Sequence, residues 1–175
     1  MNILLTNDDG IYAHGLWVLH QKLARTHTVT VIAPDRERSA VGHGITLHEP
    51  IRAHQVQING NQTGFAVTGT PADCIKLGVT EILSQPPDIV ISGINPGANV
   101  GVNVNYSGTV AAAKEAALAG IPAMAVSITA PGDGHMEGAA RAAAALCCQM
   151  VDWEVPVGTF LNVNFPDLPM DAVRG

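Results

Sequence analysis

Residues 1–10 are MNILLTNDDG: an apolar run, Ile3-Leu4-Leu5, that breaks at Thr6 into Asn7-Asp8-Asp9-Gly10. A short, continuous apolar run closed by a turn signal is the pattern of a strand buried on both faces, as in a parallel sheet. The two adjacent carboxylates are the unusual feature. A turn needs at most one Asp beside its glycine, and neighbouring negative charges repel unless a cation joins them. The tetrapeptide alone fits two readings equally: a turn in which one Asp caps the helix starting near Gly15, or two ligands of a shared cation.

Similar apolar runs recur at Thr28 to Ala33, Asp88 to Ser92, Ala123 to Thr129 and Phe160 to Asn164, with helical patterns between them. Gly15 to Arg25 places Leu16, Leu19 and Leu23 on one face of an amphipathic helix, and Trp17 is assigned to core packing. Thr70-Pro71-Ala72-Asp73 supplies an N-cap, a first-turn proline and an early acid for a helix running to Ile82 or Leu83. Ser107-Gly108-Thr109 opens an alanine-rich helix that ends at Gly120 before Ile121-Pro122, and a last helix spans about Met136 to Val151. Between Glu49 and Thr68 the pattern alternates around Asn59-Gly60-Asn61, which predicts an inserted β-hairpin. The expected fold is α/β, one doubly wound domain over residues 1–175 with a mostly parallel sheet.

Composition narrows the function classes. The chain has 175 residues, 47% hydrophobic and 14% charged, with 18 glycines and 11 prolines, as suits a compact α/β protein with tight turns and functional loops. A formal net charge of -6 gives no general attraction to polynucleotide phosphates or anionic membranes, so neither a nucleic-acid polymer nor a membrane is expected as a partner. Cys74, Cys147 and Cys148 form no CxxC pair, which fits a reducing compartment. No basic n-region opens the chain and no apolar stretch approaches a spanning helix, so a cytoplasmic location is expected.

In open parallel sheets, ligands bind where the loops at the carboxyl ends of the strands converge. Here those loops are Asn7-Asp8-Asp9-Gly10, Asp35-Arg36-Glu37-Arg38-Ser39 and Gly93-Ile94-Asn95-Pro96-Gly97-Ala98-Asn99. Paired carboxylates with hydroxyl and amide oxygens, and no Cys or His at ligand spacing, describe a site for a hard cation such as Mg²⁺ or Mn²⁺ rather than zinc. Asp35 to Arg38 alone is expected to be a solvated charged turn. The long Gly- and Asn-rich stretch from Gly93 to Thr109 predicts a functional loop, and Tyr106-Ser107-Gly108-Thr109 places hydroxyls and a glycine at a helix N-terminus, where N–H groups and the dipole favour an anion. The glycines match neither GxGxxG nor GxxxxGK[ST]. His14 and His43 lie in the converging loops and are weaker candidates.

Taken in order, ILLTNDDG, VIAPDRERSAVGHGIT, FAVTGTPADCIKLG, PDIVISGINPGANVG, YSGTVAAAKEA and LNVNFP cover essentially the whole chain, and together they resemble the SurE family of stationary-phase survival proteins, 5'-nucleotidases or nucleoside monophosphate phosphatases. The resemblance implies a Rossmann-like fold and one divalent metal ion held at Asp8, Asp9, Ser39 and Asn95. It also implies nucleoside 5'- and 3'-monophosphates as substrates, sometimes short polyphosphate, and a cytoplasmic homodimer or homotetramer. Family members usually continue past the NVNFP strand into a C-terminal segment that helps oligomerise, whereas this chain stops at Gly175; a domain lacking that segment is the expectation.

The expected chemistry is phosphomonoester hydrolysis by metal-activated water, with Asp8 and Asp9 as the catalytic pair. Phosphate oxygens would be received by Asn95, Gly97, Ser107, Gly108 and Thr109. Two rivals stay open: a phospho-aspartyl enzyme with one Asp as nucleophile, and a non-catalytic sensor that binds Mg²⁺ and a nucleotide.

Overall fold

A computed structural model describes all residues of the chain except 59, 61, 130–133, 151, 152, 154 and 175. In chain order its elements are β1 (Asn2–Thr6), α1 (His14–Leu23), β2 (Thr28–Pro34), β3 (Ala53–Gln57), β4 (Thr63–Val67), α2 (Pro71–Leu77), β5 (Ile89–Pro96), α3 (Gly108–Leu118), β6 (Ala123–Ile128), α4 (Met136–Met150) and β7 (Leu161–Phe165). The strands form one sheet in the order β3-β4-β2-β1-β5-β6-β7. Every neighbouring pair is parallel except β3 with β4.

Strand β1 shows why the apolar run is continuous. Successive side chains point to opposite faces, so Ile3 and Leu5 enter the core under α1 and α4, while Leu4 enters the core under α2 and α3. The sheet is thus covered on both sides, as expected for a doubly wound α/β fold. From β1 the chain steps outward through β2 to β4, then returns to the other side of β1 with β5 and steps outward through β6 to β7. The reversal lies between β1 and β5, where Thr6 stands opposite Ser92. Such a switch point leaves a crevice between loops leaving in opposite directions.

Four local expectations change. The helix after Thr70 gives way at Gly78 to one wider π turn, Gly78–Ile82, where a Cβ would lie 2.8 Å from Leu4 Cδ1; close packing on the sheet sets this break. The stretch from Gly93 is not all loop. Strand β5 continues to Pro96 because, after a register shift between Ser92 and Asn95, Asn95 and Pro96 pair with Ser127 and Ile128 of β6, and Gly101–Asn105 form a 3₁₀ turn. The hairpin is part of the main sheet, since β4 pairs in parallel with β2 and β3 forms the edge; its turn residues Asn59 and Asn61 lie outside the described residues, as does Val151 beyond α4. Helix α1 ends at Leu23, short of Arg25.

The Thr70 cap is a full capping box: Thr70 Oγ1 accepts from Asp73 N–H at 3.1 Å and Asp73 Oδ2 accepts from Thr70 N–H at 2.9 Å. The buried Asp73 carboxylate also accepts from the Thr46 hydroxyl at 2.7 Å and the Thr46 N–H at 3.1 Å, tying the loop after β2 to α2. Asp73→Ala is expected to cost about 2 kcal/mol in urea unfolding, since it removes the cap and strands the Thr46 and Thr70 donors. A loss under about 0.5 kcal/mol would contradict that role.

Candidate active site

The turn after β1 is closed by Asn7. Its side-chain Nδ2 donates to Gly10 O at 3.0 Å, and its Oδ1 accepts from Gly10 N–H at 3.2 Å. Neither aspartate is needed for the turn, and neither caps α1, whose N-cap is Ala13 without a side-chain bond and whose first turn holds no acid. The helix-cap reading of the tetrapeptide is therefore not the one the structure adopts. Gly10, at φ 98°, packs against the next loop, where a Cβ would lie 2.9 Å from Arg36 C. The loops after β1 and β2 are in direct contact.

Asp8 is buried, and its Oδ1 accepts the Thr109 hydroxyl at 2.5 Å. The backbone at Gly108 and Thr109, at the start of α3, lies near enough to this carboxylate to lower its pKa. Gly108 permits the approach: a Cβ there would lie 2.8 Å from Asp8 Cβ and 3.2 Å from Pro71 Cγ. The anion at the N-terminus of α3 is thus Asp8 itself. Burial raises the Asp8 pKa, and the Thr109 hydroxyl with the backbone donors pulls against that rise.

Asp9 is half-buried, and its Oδ2 is shielded from solvent with no hydrogen-bond partner. Its carboxyl is pushed up to about 7, chiefly by burial and then by the negative charges of Asp8 and Glu37. A carboxylate oxygen buried without a donor and next to two other anions is the environment that a cation would relieve.

The other predicted residues converge unevenly. Arg38 N–H donates to Asp8 O at 2.7 Å, bringing exposed Ser39 to the same edge, where its Oγ donates to Glu37 Oε1 at 2.5 Å. Asn95 lies three residues beyond the Ser92 pairing with β1; its Nδ2 donates to Gly97 O at 2.6 Å, which commits the NH₂ and leaves the amide oxygen for another role. Gly97 gives its own N–H to Ile128 O at 2.8 Å, so it supports Asn95. Ser107 caps α3 by accepting from Val110 N–H at 3.1 Å, and its N–H goes to Asn103 O. His14 is exposed, and His43 bonds to Glu115 on α3.

Sequence reasoning missed two contributors. Asn7 carried a signal, the readiness of Asn side chains to close turns on their own backbone. Glu37 carried none: the turn over residues 35–38 leaves Arg36 and Glu37 exposed and pairs Arg38 with Asp35, as a solvated charged turn does, yet the Glu37 charge raises the pKa of Asp9 and Arg38 also donates to Thr68 O at 3.0 Å, at the end of the neighbouring β4.

Among the described residues no group of three or more His, Cys, Asp or Glu could hold a metal ion. The set Asp8, Asp9, Ser39 and Asn95 offers two carboxylates and two neutral oxygens, which fits a hard divalent cation that keeps several waters.

The family described as Survival protein SurE matches residues 3–175. The chain belongs to the SurE family. A SurE relative from Desulfatibacillum aliphaticivorans, named 5'-nucleotidase SurE, is 58% identical over 100% of this chain and 69% of its own length. The relative of the same name from Syntrophobacter fumaroxidans is 53% identical over 100% of this chain and 70% of its own length. The crystal structure of the SurE protein from Aquifex aeolicus superposes with a TM-score of 0.87 at 38% identity, covering 98% of this chain and 68% of that one. The α/β fold is therefore the SurE fold.

The Asp9 shift fixes the sign of a pH effect. A folded carboxyl with a pKa near 7, against 3.8 for the ordinary group, disfavours ionisation, so the metal-free fold loses stability as pH rises from about 4 to about 7. A bound cation reverses that loss only where Asp9 is ionised. Mg²⁺ or Mn²⁺ is expected to raise Tm more at about pH 7.5 than at about pH 5.5; equal shifts, or none, would contradict a cation shared by the two carboxylates.

Proposed function

We propose that the chain is a 5'-nucleotidase, a phosphoric monoester hydrolase acting on nucleoside 5'-monophosphates, with Asp8, Asp9, Ser39 and Asn95 holding one divalent cation, Mg²⁺ or Mn²⁺. The observation that carries the reading is the Asp8–Asp9 pair, released from turn-forming by Asn7 and buried with one Asp9 oxygen unpartnered. The nucleotidase class is supported by relatives of that name at 58% and 53% identity over the full chain.

Phosphate monoesters hydrolyse slowly unless the phosphoryl charge is neutralised and a nucleophile is aligned behind the leaving oxygen. A bound divalent cation supplies the charge neutralisation and makes a nucleophile of water near neutral pH. Asp8, fixed by the Thr109 hydroxyl, would be the rigid ligand. Asp9, less constrained, would orient the attacking water as base. Ser107, Gly108, Thr109, Asn95 and Gly97 form the proposed phosphate-binding rim, in which the Ser107 hydroxyl proton would be the donor to phosphate while Gly108 and Thr109 support Asp8 and Gly97 supports Asn95.

The proposal extends to 3'-monophosphates and short polyphosphate, to a single domain over 1–175, to a homodimer or homotetramer, and to a cytoplasmic setting. No described helix is long and apolar enough to cross a membrane. Neither a membrane nor a nucleic-acid polymer is proposed as a partner.

Phosphate release from a panel of nucleoside monophosphates, with Mg²⁺, Mn²⁺ or chelator, tests this reading. Metal-dependent turnover is expected, with Asp8→Asn and Asp9→Asn reducing it to background while circular dichroism is unchanged. Nucleotide binding without phosphate release would favour the sensor, and near-normal turnover in both variants would remove the site assignment. A phosphoprotein trapped by rapid quench during turnover would favour the phospho-aspartyl route.

A further inference from the structure

The mechanism above leaves His43 unused. It lies on the segment between β2 and β3, four residues after Ser39, and spans to α3: its Nε2 is 2.6 Å from Glu115 Oε2, with the two side chains 25% and 14% exposed. Glu115 Oε1 also receives Lys76 Nζ of α2 at 3.2 Å. This partly buried pair joins residues 72 positions apart on the segment that carries a proposed metal ligand.

That segment has little regular structure of its own. Ala40 stands at φ 56° and Gly42 at φ 55°, so the chain folds back sharply just after Ser39. A non-glycine residue in the left-handed region is strained, and such a conformation persists only where its surroundings hold it. The holds lie on both sides of Ser39. Upstream, Arg38 N–H donates to Asp8 O. Downstream, Gly42 N–H donates to Tyr106 O at 2.9 Å, His43 reaches Glu115, and Gly44 O accepts the Thr70 hydroxyl at 2.8 Å. His43 supplies the link between two side chains among these, and its partner belongs to the helix whose first turn holds Thr109, the donor to Asp8.

We propose that His43 is a positioning residue that holds Ser39 at the metal site by fastening its loop to α3 through Glu115. The inference rests on the metal reading given under the proposed function. Asp8 and Ser39 would then be registered against the same helix, one through Thr109 and the other through Glu115. Loss of His43 leaves Glu115 paired with Lys76, so the variant keeps its fold while the Ser39 loop is released.

The test is a Mn²⁺ titration followed by electron paramagnetic resonance on the full chain. His43→Ala is expected to weaken Mn²⁺ binding by about tenfold, the scale on which residues supporting metal ligands act. Glu115→Gln should weaken it in the same direction, and the double variant should bind no more weakly than either single variant, because the two act through one contact. His43→Gln, which keeps a donor at similar reach, should recover most of the affinity. A purely structural histidine would lower Tm without changing the affinity of the folded protein. Wild-type affinity in both His43→Ala and Glu115→Gln would overturn this inference alone, whereas a wild-type chain that binds no Mn²⁺ would remove the metal reading and the inference with it.

Discussion

The two hydrogen bonds between the Asn7 amide and Gly10 are the constraint on which the rest of the site depends. A strand leaving a parallel sheet must turn at once, and in most turns an Asp or Asn side chain closes the backbone. Because Asn7 performs that closure, Asp8 and Asp9 are left with their carboxyl groups available at the carboxyl edge of β1. Their cost is electrostatic: both are partly or wholly removed from water, and burial raises the pKa of each. The structure meets that cost for Asp8 with the Thr109 hydroxyl and the start of α3, but gives Asp9 Oδ2 no partner. The two aspartates therefore differ in how the cost of burial is offset.

The position of this pair follows from topology. The chain reverses direction across the sheet between β1 and β5, so Asp8, on the loop after β1, and Asn95, at the end of β5, stand on neighbouring strands whose helices α1 and α3 cover opposite faces. The bond from Thr109 to Asp8 spans 101 residues of sequence and the bond from Arg38 to Asp8 O adds the β2 loop, so three loops share one residue. Asp8 is thus held from three directions, while Asp9 Oδ2 is left without a partner.

The sequence was most legible where the signal is local. The continuous apolar runs predicted β1, β2, β5, β6 and β7 to within a few residues, because strands buried on both faces need no polar alternation. The Thr70-Pro71-Ala72-Asp73 cap was legible for the same reason, all its contacts lying within one turn. What was not legible depends on contacts distant in sequence. Strand β5 outruns its apolar run because β6 pairs with Asn95 and Pro96, and α2 widens at Gly78 because Leu4 lies beneath it. At the site, residue types at strand ends identified Asp8, Asp9, Ser39 and Asn95 as candidates, and the family resemblance joined them into one metal set. That Thr109 would turn its hydroxyl to Asp8, or that Glu37 would face Asp9, is set by the docking of whole loops and has no local pattern.

The central claim is that Asp8 and Asp9 share one cation. Anomalous diffraction from a crystal of the full chain grown with Mn²⁺ tests it most directly. The account predicts a single strong Mn²⁺ peak per chain in contact with carboxylate oxygens of both Asp8 and Asp9, with Ser39 and Asn95 turned toward it. A peak bound elsewhere, or an Asp8–Asp9 pair that stays free of Mn²⁺ at saturating concentration, would contradict it.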